Sequence, residues 1–219
     1  MNFKVVSAII PLAFTLSTVP CSGEKAADLK PLLSPVGKLK VDETFAGGVL
    51  PGSWGAVQGD WQVRDGAVVG KEKASDNHPA VLFLAQTHRD SVLRFSFKLD
   101  GAKSFNLSYN HPKGHLFRVM IDEAGLILSK DKDKKDPQSK AVTLGQAAGK
   151  FAPGQWHTLL VETRGAKVAV QADNGAKIEA SHPELNVDKT GYRFVTRGES
   201  VRLADVKVWL AEPAKTAAK

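Results

Sequence analysis

The chain has 219 residues and a formal net charge of +7, from 30 Lys and Arg against 23 Asp and Glu. Its single cysteine excludes an intramolecular disulfide, so packing alone must stabilise the fold. The basic balance favours acidic partners such as anionic glycans or a cell envelope, or it is simply a basic surface. Nucleic acid is disfavoured as a partner, because there is no recognition motif and no basic helix with interleaved aromatic residues.

Residues 1–23 have the pattern of a secretion signal. Lys4 supplies a positive start, Val5 to Val19 form an apolar stretch, and Cys21-Ser22-Gly23 offers a small-residue cleavage site. The apolar stretch is shorter than the ~20 residues of a membrane-spanning helix and no later stretch is longer, so no membrane span is predicted. The predicted location is secreted or periplasmic. A lipid anchor through Cys21 is the alternative, although the residues before it fit a lipidation site poorly.

The rest of the chain divides by composition into three parts. Residues 24–38 are polar and interrupted by prolines, which predicts an extended linker. Residues 39–211 have no internal repeat and no break in composition, so they are expected to form one domain. Residues 212–219 are a polar tail.

The stretch from Phe45 to Glu72 predicts the first hairpin. Asp65-Gly66 separates two alternating runs, and both residues tolerate the positive φ that a two-residue hairpin turn requires. Trp54 and Trp61 precede the turn, and large aromatic side chains beside glycine-rich loops are typical of the edge of a β-sandwich core. Two roles stay open for them: filling the core, or stacking on a sugar ring, for which Trp54 is the candidate.

Strict alternation of apolar and polar residues continues through the middle of the chain. Leu93, Phe95, Phe97 and Leu99 share one face of a predicted strand. About a dozen such runs, separated by Gly, Asn, Asp and Pro, predict an all-β fold, a two-sheet antiparallel jelly-roll sandwich. Only Leu144 to Ala148 suggests a short helical turn. Two further runs place their apolar residues on one face, namely Phe105, Leu107 and Tyr109, then Phe117, Val119 and Ile121.

The lysine-rich stretch Ser129 to Lys140 is a long polar interruption. It contains Asp131, Asp133 and Asp136, whose oxygen atoms at this spacing suit calcium. Lysines stand between these acids, and no glycine permits the sharp turn that a calcium loop needs. A solvated hairpin loop is therefore the favoured interpretation, and no metal site is predicted.

Several short motifs, in their order along the chain, resemble the secreted 3-keto-disaccharide hydrolase domain family. This family has the concanavalin-A-like lectin/glucanase fold, and the resemblance covers about residues 40 to 211. The motifs are Phe-x-Gly from Phe45, Gly-x-Trp ending at Trp54, Trp-x-Val-x-Asp-Gly from Trp61 to Gly66, Pro-Gly-x-Trp-His from Pro153 to His157, Asp-Asn-Gly from Asp173 to Gly175, and Val-x-Leu-x-Asp-Val-x-Val from Val201 to Val208.

The resemblance implies an exported protein that acts on carbohydrate and cleaves or processes a glycosidic bond in a 3-keto sugar, with a saccharide or polysaccharide as partner. The family usually has glutamate where this chain has Arg118, so an acid is replaced by a cation. A non-catalytic carbohydrate-binding or envelope-associated module is the alternative, and a structural accessory domain is a third possibility. No cofactor and no oligomeric state are assigned from the sequence.

Ordinary glycoside hydrolysis needs two carboxylates facing each other across the bond, ~5–9 Å apart. No such pair stands out in this sequence. Glu162, on the polar side of the run from Trp156 to Arg164, is the candidate carboxylate for substrate binding. A 3-keto sugar demands less of an enzyme, because the ketone acidifies the neighbouring C–H. One base and one group that stabilises the oxyanion then suffice.

Asn106, His111, His115 and Arg118 form the best candidate site. Asn106 and Arg118 alternate with core phenylalanines on two strands of one predicted hairpin, and the two histidines flank its turn. A histidine is the candidate base, Arg118 the candidate for holding an enolate-like oxygen, and Asn106 a candidate substrate contact. The alternative is a polar outer face with two loop histidines. As metal ligands, His111 and His115 would need a third donor that the sequence does not identify.

Overall fold

The structure is a computed structural model that describes residues 29–212. The predicted secretion signal, Cys21, and most of the polar tail lie outside the described residues. Within the described part, two short 3-10 turns, Ala74–Asp76 and Pro183–Leu185, are the only helical segments. No helix of this part is long and apolar enough to cross a lipid bilayer.

Residues 29–212 otherwise form fifteen strands. In chain order they are β1 Val36–Glu43, β2 Trp54–Gln58, β3 Asp60–Arg64, β4 Ala67–Lys71, β5 Ala80–His88, β6 Ser91–Leu99, β7 Ala102–His111, β8 Gly114–Asp122, β9 Gly125–Lys130, β10 Val142–Ala148, β11 Trp156–Arg164, β12 Lys167–Ala172, β13 Lys177–Ser181, β14 Lys189–Gly198 and β15 Val201–Ala211.

The strands form two antiparallel sheets. One sheet has eight strands in the order β13-β12-β11-β6-β15-β4-β3, with β1 also paired to β15, and the other has seven in the order β10-β9-β8-β7-β14-β5-β2. Seven of the thirteen strand pairs formed by residues 29–212 join strands that are not consecutive in the chain, as in a jelly roll, where the chain passes repeatedly between two facing sheets. The predicted two-sheet antiparallel sandwich is confirmed.

The core lies between the sheets and is built from the predicted alternation. Phe95 and Phe97 of β6 and Phe105 of β7 are fully buried. Their rings meet across the two layers, with centroids 6.2 Å apart for Phe95 and Phe105 and 5.7 Å apart for Phe97 and Phe105. Burying each such ring stabilises the fold by ~1.5–3 kcal/mol, so the apolar face of each strand is held against the core. Because side chains alternate between the two faces of a strand, the opposite face is the one that can contact a ligand.

The predicted hairpin at Asp65-Gly66 joins β3 to β4. Both residues have positive φ, 52° and 69°, which is the geometry of a two-residue turn between twisted strands. Trp61 on β3 lies over Gly70 on β4, where an added Cβ would stand only 2.1 Å from the indole ring. Trp61 Nε1 also donates to the carbonyl oxygen of Gln58 at 2.8 Å, so this tryptophan has a structural role.

The helical turn predicted at Leu144 to Ala148 is wrong, because this segment belongs to strand β10, paired with β9. A β-bulge between Thr143 and Gly145 shifts the register by one residue. Leu144 and Ala147 therefore both pack on the core although they are three residues apart. The bulge gives a strand the apolar spacing of a helix.

The first described residues, from Leu29 to Pro35, pack on the outer face of the eight-stranded sheet. The backbone N–H groups of Leu32 and Leu33 donate to the two carboxylate oxygens of Glu162, at 2.7 and 3.0 Å. Strand β1 begins at Val36, within the range predicted as a linker, and pairs with β15. The second half of that range is thus held against the domain.

Candidate functional site

The outer face of the seven-stranded sheet carries a cavity of about 580 Å³, called the groove below. Its floor comes from β5, β7, β8 and β14, because the side chains that alternate with buried core residues point away from the sandwich. Residues 72–79, including the first 3-10 turn, form one wall. The side chains on which its chemistry depends are Glu72, Lys73, His78, Asn106, Ser108, His115, Arg118, Arg193 and Arg197.

The strand register sets two arginines on either side of a serine. Ser108 of β7 pairs with Arg118 of β8 on one side and with Arg193 of β14 on the other. Adjacent strands lie ~4.8 Å apart, so the two arginine Cα atoms are about 10 Å apart across the floor. Asn106 occupies the next outward position of β7.

Arg118 is anchored at one end of this row. Its Nη2 donates to Oδ1 of Asp131, which is itself buried and lies just beyond the end of β9. The Nε of Arg118 is shielded from solvent and has no hydrogen-bond partner. The side chain keeps 38% of its surface exposed, so the guanidinium is still open to a ligand.

Arg193 is held differently. Its guanidinium carbon lies 5.9 Å from the centroid of the Phe83 ring on β5, a cation–π contact that fixes its position without neutralising its charge. Gly191 makes room for that ring, since an added Cβ would stand 2.9 Å from it. The Nε of Arg193 has no partner, and no carboxylate of residues 29–212 lies within ion-pair distance of this side chain.

Asn106 brings an unused acceptor to the floor. Its Oδ1 is shielded from solvent and has no hydrogen-bond partner. Most buried polar atoms are paired, and an unpaired one raises the free energy of the folded state by ~1–3 kcal/mol. Three unpaired polar atoms, in Asn106, Arg118 and Arg193, therefore gather beneath one cavity.

His115 combines a fixed orientation with a free nitrogen. Its Nδ1 lies 3.0 Å from Oδ1 of Asn110, which only accepts, so Nδ1 carries the proton. The Nε2 atom is then an unprotonated acceptor without a hydrogen-bond partner among the described residues. Burial lowers the pKa of His115, Asp131 opposes this change, and Arg193 and Arg118 reinforce it, so the ring is neutral at pH 7.

The structure brings three of the six predicted site residues together in the groove, namely Asn106, His115 and Arg118. His111 lies outside it, in a neighbouring cavity of about 310 Å³ that His115 also lines. Burial also lowers the pKa of His111. Of the two histidines predicted as the base, His115 therefore lines the groove and His111 does not.

Trp54 does not line the groove. It is 7% exposed and its ring packs between Phe45, in edge contact at 5.2 Å, and Phe194, stacked at 5.7 Å. Of the two roles that the sequence left open, the structure shows Trp54 filling the core. A sugar that lies in the groove does not reach this ring.

Glu162 is also remote from the groove, because it lies on the outer face of the opposite sheet. It is 1% exposed, and both carboxylate oxygens accept from the backbone of Leu32 and Leu33. The sequence placed Glu162 on the polar side of its strand but did not show that residues 29–35 cover that side. Its observed partners indicate a structural role.

The groove contains residues that the sequence did not single out. Arg193 and Arg197 alternate with core residues on β14, and Lys73 lies on the wall. The basic outward positions of β14 were visible as alternation. The pairing of β14 with β7, which joins residues more than 80 apart in sequence, was not visible.

The groove offers no pair of acids for ordinary glycoside hydrolysis. Glu72 is the one acid that lines it among the described residues, and its Oε2 accepts from the backbone N–H of Gly198 at 2.8 Å. Residues 29–212 also contain no group of three or more His, Cys, Asp or Glu side chains placed to hold a metal ion.

Comparison with known proteins supports the fold. No family model matches the sequence, and no curated protein matches it. Among solved structures, the chain is similar to SCLam, a non-specific endo-β-1,3(4)-glucanase from family GH16, with a TM-score of 0.60 and 12% identity over 84% of this chain and 95% of that one. It is equally similar to the exoplasmic/lumenal domain of VIP36 in its Ca²⁺/Man3GlcNAc-bound form, with a TM-score of 0.60 and 13% identity over 82% and 93%.

A third similar structure is the CBM2 module of the evolved Dit protein of Lactobacillus casei BL23 phage J-1. Its TM-score is 0.55, with 10% identity over 80% of this chain and 97% of that one. At such identities the likeness shows the fold alone, which is the two-sheet antiparallel jelly roll. The 3-keto-disaccharide hydrolase family remains a hypothesis carried by the sequence motifs.

Proposed function

We propose that this protein is exported to the periplasm or the cell exterior, where it binds a saccharide in the groove. The single observation that carries the proposal is the open groove of about 580 Å³, whose floor is lined by the polar side chains of Asn106, Ser108, His115, Arg118 and Arg193. Sugar hydroxyls both donate and accept, so one saccharide can satisfy this mixed set of donors and acceptors. The similar solved structures include a Man3GlcNAc-bound exoplasmic/lumenal domain and an endo-β-1,3(4)-glucanase, which supports this choice of ligand.

Binding is favoured over ordinary hydrolysis because the second carboxylate is missing. Retaining and inverting glycosidases both need two acids that flank the bond. Glu72 is bonded to Gly198 and lies 4.0 Å from Arg197, and Glu162 is on the opposite sheet. The groove thus resembles a recognition site more than the cleft of a two-carboxylate enzyme.

The second candidate is cleavage of a 3-keto glycoside, and the geometry of His115 favours it. Its unprotonated Nε2 can remove the proton from C2 of the sugar, while the C–H electron pair moves toward the ketone oxygen at C3. Arg118 stabilises that developing oxyanion. Return of the electron pair forms a C1=C2 double bond and expels the glycosidic oxygen from C1, and that oxygen takes the proton held by His115. Cleavage thus leaves a 1,2-unsaturated 3-keto sugar, and addition of water across its double bond completes hydrolysis.

Two measurements test these candidates. Calorimetric titration with a panel of oligosaccharides should show binding that weakens about tenfold in Asn106→Ala, because that variant loses a groove hydrogen bond, and stays unchanged in Arg64→Gln on the opposite sheet. Incubation with 3-keto and ordinary glycosides should release no sugar if the protein only binds. Release that disappears in His115→Gln, with binding retained, would instead establish the second candidate.

The proposal fails if no saccharide of the panel binds, or if Asn106→Ala and Arg64→Gln bind equally well. Unfolding curves of both variants must match those of the wild type, so that lost binding is not lost fold.

A further inference from the structure

The groove has an excess of positive charge that its own acids do not neutralise. Four basic side chains line it, from Lys73, Arg118, Arg193 and Arg197. Arg118 is paired with Asp131, and Arg197 lies 4.0 Å from Glu72. Lys73 and Arg193 have no carboxylate at ion-pair distance among the described residues.

Asp76, on the same wall segment, offsets part of this excess. Its Oδ2 accepts from the backbone N–H of Gly59 at 2.7 Å and its Oδ1 from the Ser75 hydroxyl at 3.2 Å, and its carboxylate interacts electrostatically with Lys73. Asp76 itself does not line the groove. The positive charge of the groove that is left unmatched is therefore that of Arg193.

The position of Arg193 suits recognition of an oxyanion. A guanidinium presents a rigid fork of N–H donors that matches the two oxygens of a carboxylate or two oxygens of a sulfate. The Phe83 ring holds the Arg193 guanidinium from one side and supplies no acceptor. Its fork is consequently unused within the protein and already oriented, which reduces the entropy lost when a ligand binds.

We propose that the saccharide bound in the groove is anionic, and that Arg193 pairs with its acidic group, either the carboxylate of a uronic acid or a sulfate ester. This inference rests on the proposed saccharide-binding function. Ser108, in the middle of the row, and Arg118, on its far side, bind the neutral hydroxyls of the same chain of sugars. Lys73 on the wall contributes longer-range attraction.

The test uses pairs of ligands that differ only in charge. Trigalacturonate is compared with its methyl ester, and a sulfated galactan oligosaccharide with its desulfated form, by calorimetric titration of the full chain. We expect one acidic ligand to bind at least about tenfold more tightly than its neutral counterpart, the effect of one charge-assisted hydrogen-bond pair. Preference for the uronate or for the sulfate identifies the acidic group.

Variants then locate the preference. Arg193→Gln should abolish the difference between acidic and neutral ligands, and Arg193→Lys should keep only part of it, because lysine retains the charge without the fork. Arg64→Gln removes the same charge from an exposed position on the opposite sheet and should leave the preference intact.

Three results would overturn the inference. If neutral ligands bind as tightly as acidic ones, the ligand is not anionic, yet saccharide binding stands. If Arg193→Gln and Arg64→Gln weaken the binding of acidic ligands equally, the preference for acidic ligands reflects the general surface charge. If no saccharide binds at all, acidic or neutral, the proposed function falls together with this inference.

Discussion

His88, at the end of β5, is expected to make the fold sensitive to acid. It is 6% exposed, and its ring stacks on Tyr192 with centroids 4.7 Å apart and an interplanar angle of 10°. Its Nδ1 lies 2.8 Å from the carbonyl oxygen of Gln86 and donates to it, while Nε2 is buried without a partner. Burial lowers the pKa of His88 from 6.5 to about 4, and the nearby Lys189 adds to the decrease.

The sign of the effect follows from which state binds the proton. Between pH 6.5 and about 4 the unfolded chain protonates His88 and the folded chain does not, so falling pH favours unfolding. The stabilising contribution is complete above pH 6.5 and is lost as the pH falls through about 4. A pKa lowered to this extent corresponds to about 3 kcal/mol of unfolding free energy.

Urea unfolding from pH 7 to pH 4 measures this contribution. His88→Phe keeps an aromatic ring for stacking but cannot titrate, so its stability should fall by about 3 kcal/mol less than that of the wild type over this range. His111 and His115, whose pKa values burial also lowers, are present in both proteins and cancel in the comparison.

Tyr192→Phe serves as the control. It loses the hydroxyl that donates to Ser91 at 3.0 Å, which should lower stability by about 1 kcal/mol at every pH in the range and leave the slope unchanged. The reasoning is refuted if His88→Phe and the wild type lose stability in parallel between pH 7 and pH 4.

Three further substitutions test the packing, each by urea unfolding at pH 7. Glu162→Gln should lower the free energy of unfolding by about 1–2 kcal/mol and speed proteolysis near Leu32, because a charged acceptor of two N–H groups becomes neutral. An unchanged rate of cleavage would contradict the observed anchoring of this segment. Gly70→Ala should lower the free energy of unfolding by more than about 1 kcal/mol, since the new methyl group clashes with the Trp61 ring. Unchanged stability would contradict that close contact. Lys189→Met should lower the free energy of unfolding by about 1–3 kcal/mol, because the ammonium of Lys189 donates to three carbonyl oxygens at 2.7–3.1 Å. Unchanged stability would show that these carbonyl oxygens accept from other donors in the variant.

The class of fold was predictable because alternation is a local property. Phe105 and Phe117 are buried at positions where a period of two places them, and the same period puts Asn106 and Arg118 outside. The hairpin at Asp65-Gly66 was equally local. The bulge at Gly145 was not predictable, because it depends on pairing with β9 and not on the residues of β10 alone.

The site was only half predictable because it crosses strands that are distant in sequence. Asn106, His115 and Arg118 lie on one hairpin, so a local argument could group them. Arg193 lies next to them because β14 pairs with β7, and no turn motif in the sequence predicts that pairing. Glu162 has the same outward pattern as Asn106, and only the covering of its sheet by residues 29–35 distinguishes the two.

This covering also explains why the groove belongs to the seven-stranded sheet. On the eight-stranded sheet, Val92, Leu160 and Ala169 point away from the core and are nevertheless buried. The outward faces of the two sheets therefore differ. Residues 29–35 cover the face of the eight-stranded sheet, where their backbone N–H groups donate to Glu162. The face of the seven-stranded sheet keeps donors and acceptors that have no partner within the protein. Polar side chains that line an open groove are the ones that a ligand can reach, whereas the carboxylate of Glu162 on the closed face already accepts hydrogen bonds from the backbone of Leu32 and Leu33.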